Sequence, residues 1–223
     1  MFADLADLVF PPRCLICDSY AGPFVEPTLC RPCLESLLDV RETVLPSMSV
    51  APLHAWAAGT YDGKLRKLIT AAKFERDPLP VQTLNLLLFR AYVAASPPLG
   101  VVITSIPAHP ARTRKRGIDL PGYLGRRLAS RVGTCYERLL HRTREVPAQQ
   151  SLSRRERLRN LEGLFVAARD LAGTAVVVVD DIFTTGATAE AASTALFKDG
   201  CPNVIFLALA RTPLELDGSV SLS

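Results

Sequence analysis

From residue 53 onward, apolar and polar positions alternate between a helical and a strand-like rhythm. Asp62–Phe74 places Leu65, Leu68, Ile69 and Ala72 at three- and four-residue spacing, which predicts an amphipathic helix. Val81–Ala95, Leu120–Val132 and Ala187–Asp199 predict three more helices. Between them lie short apolar runs at Gly100–Ile106, Ala175–Val179 and Val204–Ala210, the signature of strands buried on both faces. Strands separated by helices predict parallel βαβ units. Ligands of such sheets bind beyond the carboxyl ends of the strands, so the ends entering Ser105–Pro107 and Asp180 are the places to look. Ahead of residue 53 the rhythm is weaker. Phe2, Leu5 and Val9 predict a short helix before Pro11 and Pro12, Leu34–Val40 predicts another, and Pro46–Pro52 reads as a linker.

The length, 223 residues, suits one α/β domain with a small appendage. The expected division is an N-terminal module over 1–45, a body over 53–215 and a tail over 216–223. A chain that is 48% hydrophobic and 22% charged is not a disordered tail protein. Its apolar runs are too short to span a bilayer, and Asp4 and Asp7 replace the basic segment of a secretory signal. The expected location is the cytoplasm, with no membrane span. The net charge of +4 conceals a segregation: residues 111–159 hold 14 basic and 4 acidic residues, a surplus of ten, and the remainder carries a deficit of six. Such a belt attracts an anion, whether nucleic acid, pyrophosphate or an acidic partner, unless it is simply a solvated surface.

Four cysteines form Cys14-x2-Cys17-x12-Cys30-x2-Cys33. Each pair can close a tight turn, and two such turns supply the four tetrahedral ligands of structural Zn2+. The alternatives are two disulfides or unrelated thiols. A stretch this short has almost no core of its own, so metal binding would supply its folding free energy. Cys135 and Cys201 stand apart among apolar residues and read as small core residues.

The most informative stretch is Val176-Val-Val-Val-Asp180-Asp181-Ile-Phe-Thr184-Thr185-Gly186-Ala187-Thr188. Two adjacent carboxylates at a strand end repel one another unless a metal, hydroxyl donors or cations offset them. A loop of threonines and a glycine before a helix can aim backbone N–H groups and hydroxyls at one phosphate. An ordinary strand-to-helix turn with an Asp or Thr cap is the plainer reading.

This stretch resembles the phosphoribosyl pyrophosphate signature of type I phosphoribosyltransferases. The outer blocks are similar to the ComF (competence protein F) family: Tyr61-Asp-Gly-Lys-Leu-Arg66 with Lys73-Phe74, Ile106-Pro107-Ala-His109-Pro110 with Arg116-Gly117, and Gln149-x2-Leu152 with Arg157, Asn160 and Phe165. The resemblance covers residues 10–212. It implies a phosphoribosyltransferase-like fold, a mainly parallel sheet with flanking helices, carrying an N-terminal zinc ribbon. It places the ribose hydroxyls on Asp180 and Asp181, and the 5′-phosphate on Thr184, Thr185, Gly186, Ala187 and Thr188. Pyrophosphate, with its Mg2+, falls to the loop of Ser105 and Pro107 and to Arg116; Lys73 is a further anion-site candidate, or else an exposed lysine on an amphipathic helix. Asp119 departs from the family's usual Asn. Three functions follow: transfer of phosphoribosyl to an unidentified nitrogen acceptor, handling of single-stranded DNA during uptake through contact with the DNA or with a DNA-uptake helicase, or sensing of the metabolite without chemistry. For the DNA reading, Arg154, Arg155, Arg157 and Arg159 form a second basic block, while Tyr123 and Tyr136 are the belt's only aromatics.

Overall fold

The computed structural model describes residues 13–21, 29–37, 39–45, 53–74, 78–108, 118–144 and 160–212. Strands β1 (Arg41–Leu45), β2 (Leu53–Ala57), β3 (Val102–Ser105), β6 (Val176–Phe183) and β7 (Val204–Arg211) form one sheet in the order β1-β2-β7-β6-β3. All its pairings are parallel except β1 with β2. Helices α1 (Arg31–Leu37), α2 (Gly63–Phe74), α3 (Pro78–Ala95), α4 (Leu120–Val132) and α5 (Ala187–Lys198) complete the described helices. A separate antiparallel hairpin joins β4 (Leu140–Arg142) to β5 (Phe165–Ala167).

The central strands are apolar on both faces because both faces are covered. Val177, Val179, Ile205 and Leu207 share a core with Leu65, Leu68 and Ile69 of α2, Leu84 and Leu88 of α3, and Leu124 and Leu128 of α4. Val176, Val178, Val204 and Phe206 point the other way, into a core with Ala192 and Leu196 of α5 and with Leu140 and Phe165 of the hairpin. The α/β architecture is thus the expected mainly parallel sheet with flanking helices, with α2, α3 and α4 on one face and α5 and the hairpin on the other.

Several expectations require correction. The strand predicted to stop at Val179 runs on to Phe183, so Asp180 and Asp181 lie within β6 rather than after it. Pairing explains this: β3 ends opposite Val179, whereas β7 continues beside β6 as far as Phe183. The helix predicted at Leu34–Val40 begins at Arg31, which places Cys33 inside it. Residues 41–45, read as the end of the N-terminal module, are an edge strand of the main sheet. The module draws on the core of the body: Cys14, Leu29, Cys30, Cys33 and Leu37 pack into the same cluster as α2. Two α2 lysines reach across to it, Lys64 to the Ser36 hydroxyl (2.9 Å) and Lys67 to the Ile16 carbonyl (3.4 Å). Cys201 is buried as expected, but Cys135 is exposed. The helix predicted around Phe2–Val9, the linker and the tail lie outside the described residues.

Candidate functional site

Beyond Ser105, β6 has lost its neighbour on one side, and a cavity of about 320 Å³ opens there. Its floor is the free end of β6, with Asp180, Asp181 and Ile182. One wall is the loop Ile106–Ala108, held by the Ile106 amide donating to the Val179 carbonyl (2.9 Å). The opposite rim carries Thr184 and Thr188, on either side of the start of α5. Ile118, Leu120 and Pro121 close a third side with apolar surface.

Lys73, the penultimate residue of α2, enters this cavity and forms an ion pair with Asp181. Its side chain is only 10% exposed and that of Asp181 19%. This is no solvated lysine on a helix surface. The Asp180 carboxylate accepts a hydrogen bond from the Asp181 amide (2.8 Å). Burial, and then the adjacent Asp181 charge, push the Asp180 carboxyl well above the usual carboxylate range, against the opposing pull of that amide and of Lys73. The floor of the cavity thus sets two adjacent carboxyl groups beside one lysine, Lys73. That arrangement favours a ligand that brings hydroxyl donors or a cation.

At the rim, Gly186 adopts φ +81°, a left-handed conformation that costs glycine little, and it starts α5 without any side-chain cap. Thr185 turns back to accept from the Ala187 amide at 3.5 Å. The first-turn amides of α5 are the groups an anion can take. Of the five loop residues singled out from sequence, Thr184 and Thr188 line the cavity; Thr185, Gly186 and Ala187 shape the turn between them.

Ser105 departs from its expected position. It is buried, and its hydroxyl lies 2.8 Å from the Tyr136 hydroxyl instead of lining the cavity, because the last residue of β3 faces α4 and its following turn. Pro107 does line the cavity, and its carbonyl accepts from Nε of Arg142 (2.9 Å). Arg142 is the cation that sequence reasoning missed. It sits on β4, lines the cavity, and lies with its guanidinium 5.4 Å from the centre of the Phe165 ring. The fully buried Thr104 helps to place it by accepting from the Leu139 amide (3.1 Å) at the entry to β4. Asp119 acts locally: it caps α4 by accepting from the Gly122 amide (3.2 Å), and it does not line the cavity. Arg116 lies outside the described residues, as do His109, Arg112, Arg114, Lys115 and the basic block 154–159.

At the other end of α2, the ligand atoms of Cys14, Cys17, Cys30 and Cys33 all lie within 4.8 Å of one another. The Cys14 amide donates to the Ser19 carbonyl (2.8 Å) and the Asp18 amide to the Cys14 carbonyl (2.9 Å), closing the first turn, with Asp18 at φ +62°. Cys30 and Cys33 are presented by the start of α1. Hydrogen bonds from Ser19 lower the Cys17 thiol to about 6, whereas burial and the neighbouring thiols push Cys33 up to about 12. Four sulfur donors at this separation can hold one metal ion, and the set suits tetrahedral zinc.

Fold and site together define a class: an α/β protein with a mainly parallel sheet, whose acidic pair near the end of a central strand faces a glycine turn at the start of a helix. Among curated proteins, the DNA utilization protein YhgH of Salmonella typhi is 30% identical over 157 residues, which is 68% of this chain and 69% of that protein. YhgH of Escherichia coli strain K12 matches with the same identity and coverage. The chain belongs to the family of the DNA utilization protein YhgH. No family model matches it. Similar solved structures include an adenine phosphoribosyltransferase (18% identity, 81% of this chain and 96% of that one, TM-score 0.41). Another is the adenine phosphoribosyltransferase of Giardia lamblia (13% identity, 76% and 81%, TM-score 0.42).

Proposed function

We propose that this is a ComF-type protein that binds phosphoribosyl pyrophosphate with Mg2+ and transfers its phosphoribosyl group to a nitrogen nucleophile. The observation that carries the reading is the joint exposure of Asp180, Asp181, Thr184, Thr188, Lys73 and Arg142 to one cavity at the end of β6. Asp180 and Asp181 accept hydrogen bonds from the ribose 2′- and 3′-hydroxyls. Thr184, Thr188 and the first amides of α5 hold the 5′-phosphate. Lys73, Arg142 and Arg116 hold the pyrophosphate, where guanidinium forks bind phosphate oxygens in pairs. In the transfer, the bond from ribose C1 to the pyrophosphate oxygen breaks and its electron pair leaves with pyrophosphate. The nitrogen lone pair forms the new bond to C1, and the nitrogen then gives up a proton. Cations preorganised around the leaving group stabilise the charge that grows there. Mg2+ bound with the donor supplies further positive charge, and the hard oxygen donors of the cavity suit it. The four cysteines hold structural zinc.

Handling of single-stranded DNA is the second reading. It draws on the name of the YhgH relatives and on the surplus of ten positive charges at 111–159, more than one pyrophosphate needs.

Titration calorimetry with Mg-phosphoribosyl pyrophosphate tests the first reading. Asp180→Asn removes a charge-assisted hydrogen bond to the ribose and is expected to weaken binding about ten- to hundred-fold. Unchanged affinity in the variant contradicts the assignment. The ligand-free variant has a second signature. The Asp180 carboxyl titrates higher in the folded chain than in the unfolded one, so its contribution to stability is complete below the unfolded value and is lost as pH rises through the folded one. At neutral pH, ligand-free Asp180→Asn is therefore expected to melt above the wild type, a gain that disappears in acid.

A further inference from the structure

A second cavity, also of about 320 Å³, lies between α3 and α4. It is lined by Val81, Gln82 and Asn85 from α3 and by Tyr123, Arg127 and Arg131 from α4. The two helices contain no Asp or Glu but four arginines, at 90, 126, 127 and 131. Tyr123, Arg127 and Arg131 recur every fourth residue and so form one stripe along α4. Gln82 and Asn85, three apart on α3, face that stripe across the groove.

The groups are arranged rather than merely present. The Arg131 guanidinium lies 4.4 Å from the centre of the Phe89 ring, a contact that fixes a long side chain in place. Asn85 is buried and donates to the Leu124 carbonyl (3.4 Å), which orients its amide. Among the described residues, Arg127 is paired with no carboxylate, and Tyr123 is an exposed aromatic ring. The groove shares no lining residue with the cavity of Asp180; that cavity takes Leu120 and Pro121 from the start of α4, and the groove begins two residues further on, at Tyr123.

We propose that this groove binds a nucleotide unit. Two guanidiniums one helical turn apart match the oxygens of a phosphate. The Tyr123 ring offers a surface on which a base can stack, and the Gln82 and Asn85 amides offer donors and acceptors to a base edge. A simple anion needs the arginines alone; only a nucleotide uses all three kinds of group. The unit is supplied either by a free nucleotide or by a single strand, and the two sources share this chemistry.

The test uses the full chain with its metal and two probes: 5′-AMP by calorimetry, and a labelled single-stranded DNA of about 12 nucleotides by anisotropy across salt concentrations. Arg127→Ala is expected to weaken the bound probe about five-fold, and Arg127→Ala with Arg131→Ala more than about ten-fold. The log–log salt slope for DNA falls by about 0.7 for each phosphate that is no longer neutralised. Tyr123→Ala weakens binding about five-fold or more with no change in that slope, and Tyr123→Phe restores it. Affinity for Mg-phosphoribosyl pyrophosphate stays at the wild-type level in Arg127→Ala, which separates this groove from the cavity of Asp180. Binding of DNA alone identifies a strand as the source; equal dependence of both probes on these residues identifies the free nucleotide as sufficient. Failure of both probes to bind, or binding indifferent to Arg127→Ala and Tyr123→Ala, overturns the proposal.

Discussion

Lys73→Met is expected to lower the folding stability by about 3 kcal/mol, the lower end of the range for removing one member of a buried ion pair. The side chains of Lys73 and Asp181 are both largely shielded, and Asp180 adds a second carboxyl beside them. Without the lysine, the floor of the cavity holds two adjacent acids and no described cation of its own. The apolar volume of Met preserves the packing of α2 against the sheet, so the loss reports charge rather than a void. Adding Asp181→Asn to Lys73→Met is expected to recover most of the loss, because a neutral replacement of both partners is often close to neutral for stability. Denaturant unfolding of the four proteins of this cycle checks it. Additive effects of the two substitutions contradict the pairing as an energetic unit.

Removal of the metal is expected to have the larger effect. Structural zinc in a small four-ligand site contributes on the order of 10 kcal/mol or more of apparent binding free energy. Loss of even about 4 kcal/mol moves the melting temperature of a chain of this size by about 8–16 °C. The loss does not stay local, because Cys14, Cys30 and Cys33 share one core with Leu65 and Leu68 of α2, the helix that ends at Phe74, one residue beyond Lys73. A Cβ at Gly59 would lie 3.2 Å from both the Leu37 carbonyl and Leu65, so module and body are in direct contact there. Elemental analysis should find one zinc per chain. Chelation, or Cys33→Ser, should lower the main melting transition. A metal-free chain that melts as the untreated one does contradicts the zinc assignment.

The sequence shows the parts of this fold whose signal is long or repeated. The four valines of β6, the apolar run of β7 and the period of α4 all read directly, and α4 has the predicted bounds. What it hides depends on distant partners. The strands β4 and β5 have three residues each, too few to show a period, and they are strands only because they pair with one another. The acidic pair reads as the end of a strand because two charges rarely continue a buried one; β7 runs on where β3 stops, so the strand continues into an open cavity. Arg142 is one of 14 basic residues in a belt, and nothing in its spacing distinguishes it; the hairpin selects it. Lys73 occupies the position of a helix-surface lysine and is buried only because the end of α2 meets β6. The belt that reads as one charged segment separates in three dimensions: Arg142 faces the cavity of Asp180, whereas Arg127 and Arg131 face the groove between α3 and α4.

The central claim is that one cavity recognises both ends of a phosphoribosyl donor. Calorimetric titration of the full chain with Mg-phosphoribosyl pyrophosphate, Mg-pyrophosphate and ribose 5-phosphate compares the whole ligand with its halves. The whole donor is predicted to bind about ten-fold or more tightly than either half, a difference of about 1.4 kcal/mol or more. Equal affinity for the donor and for pyrophosphate alone would mean that the acidic pair and the threonine rim take no part in binding, and would contradict the account.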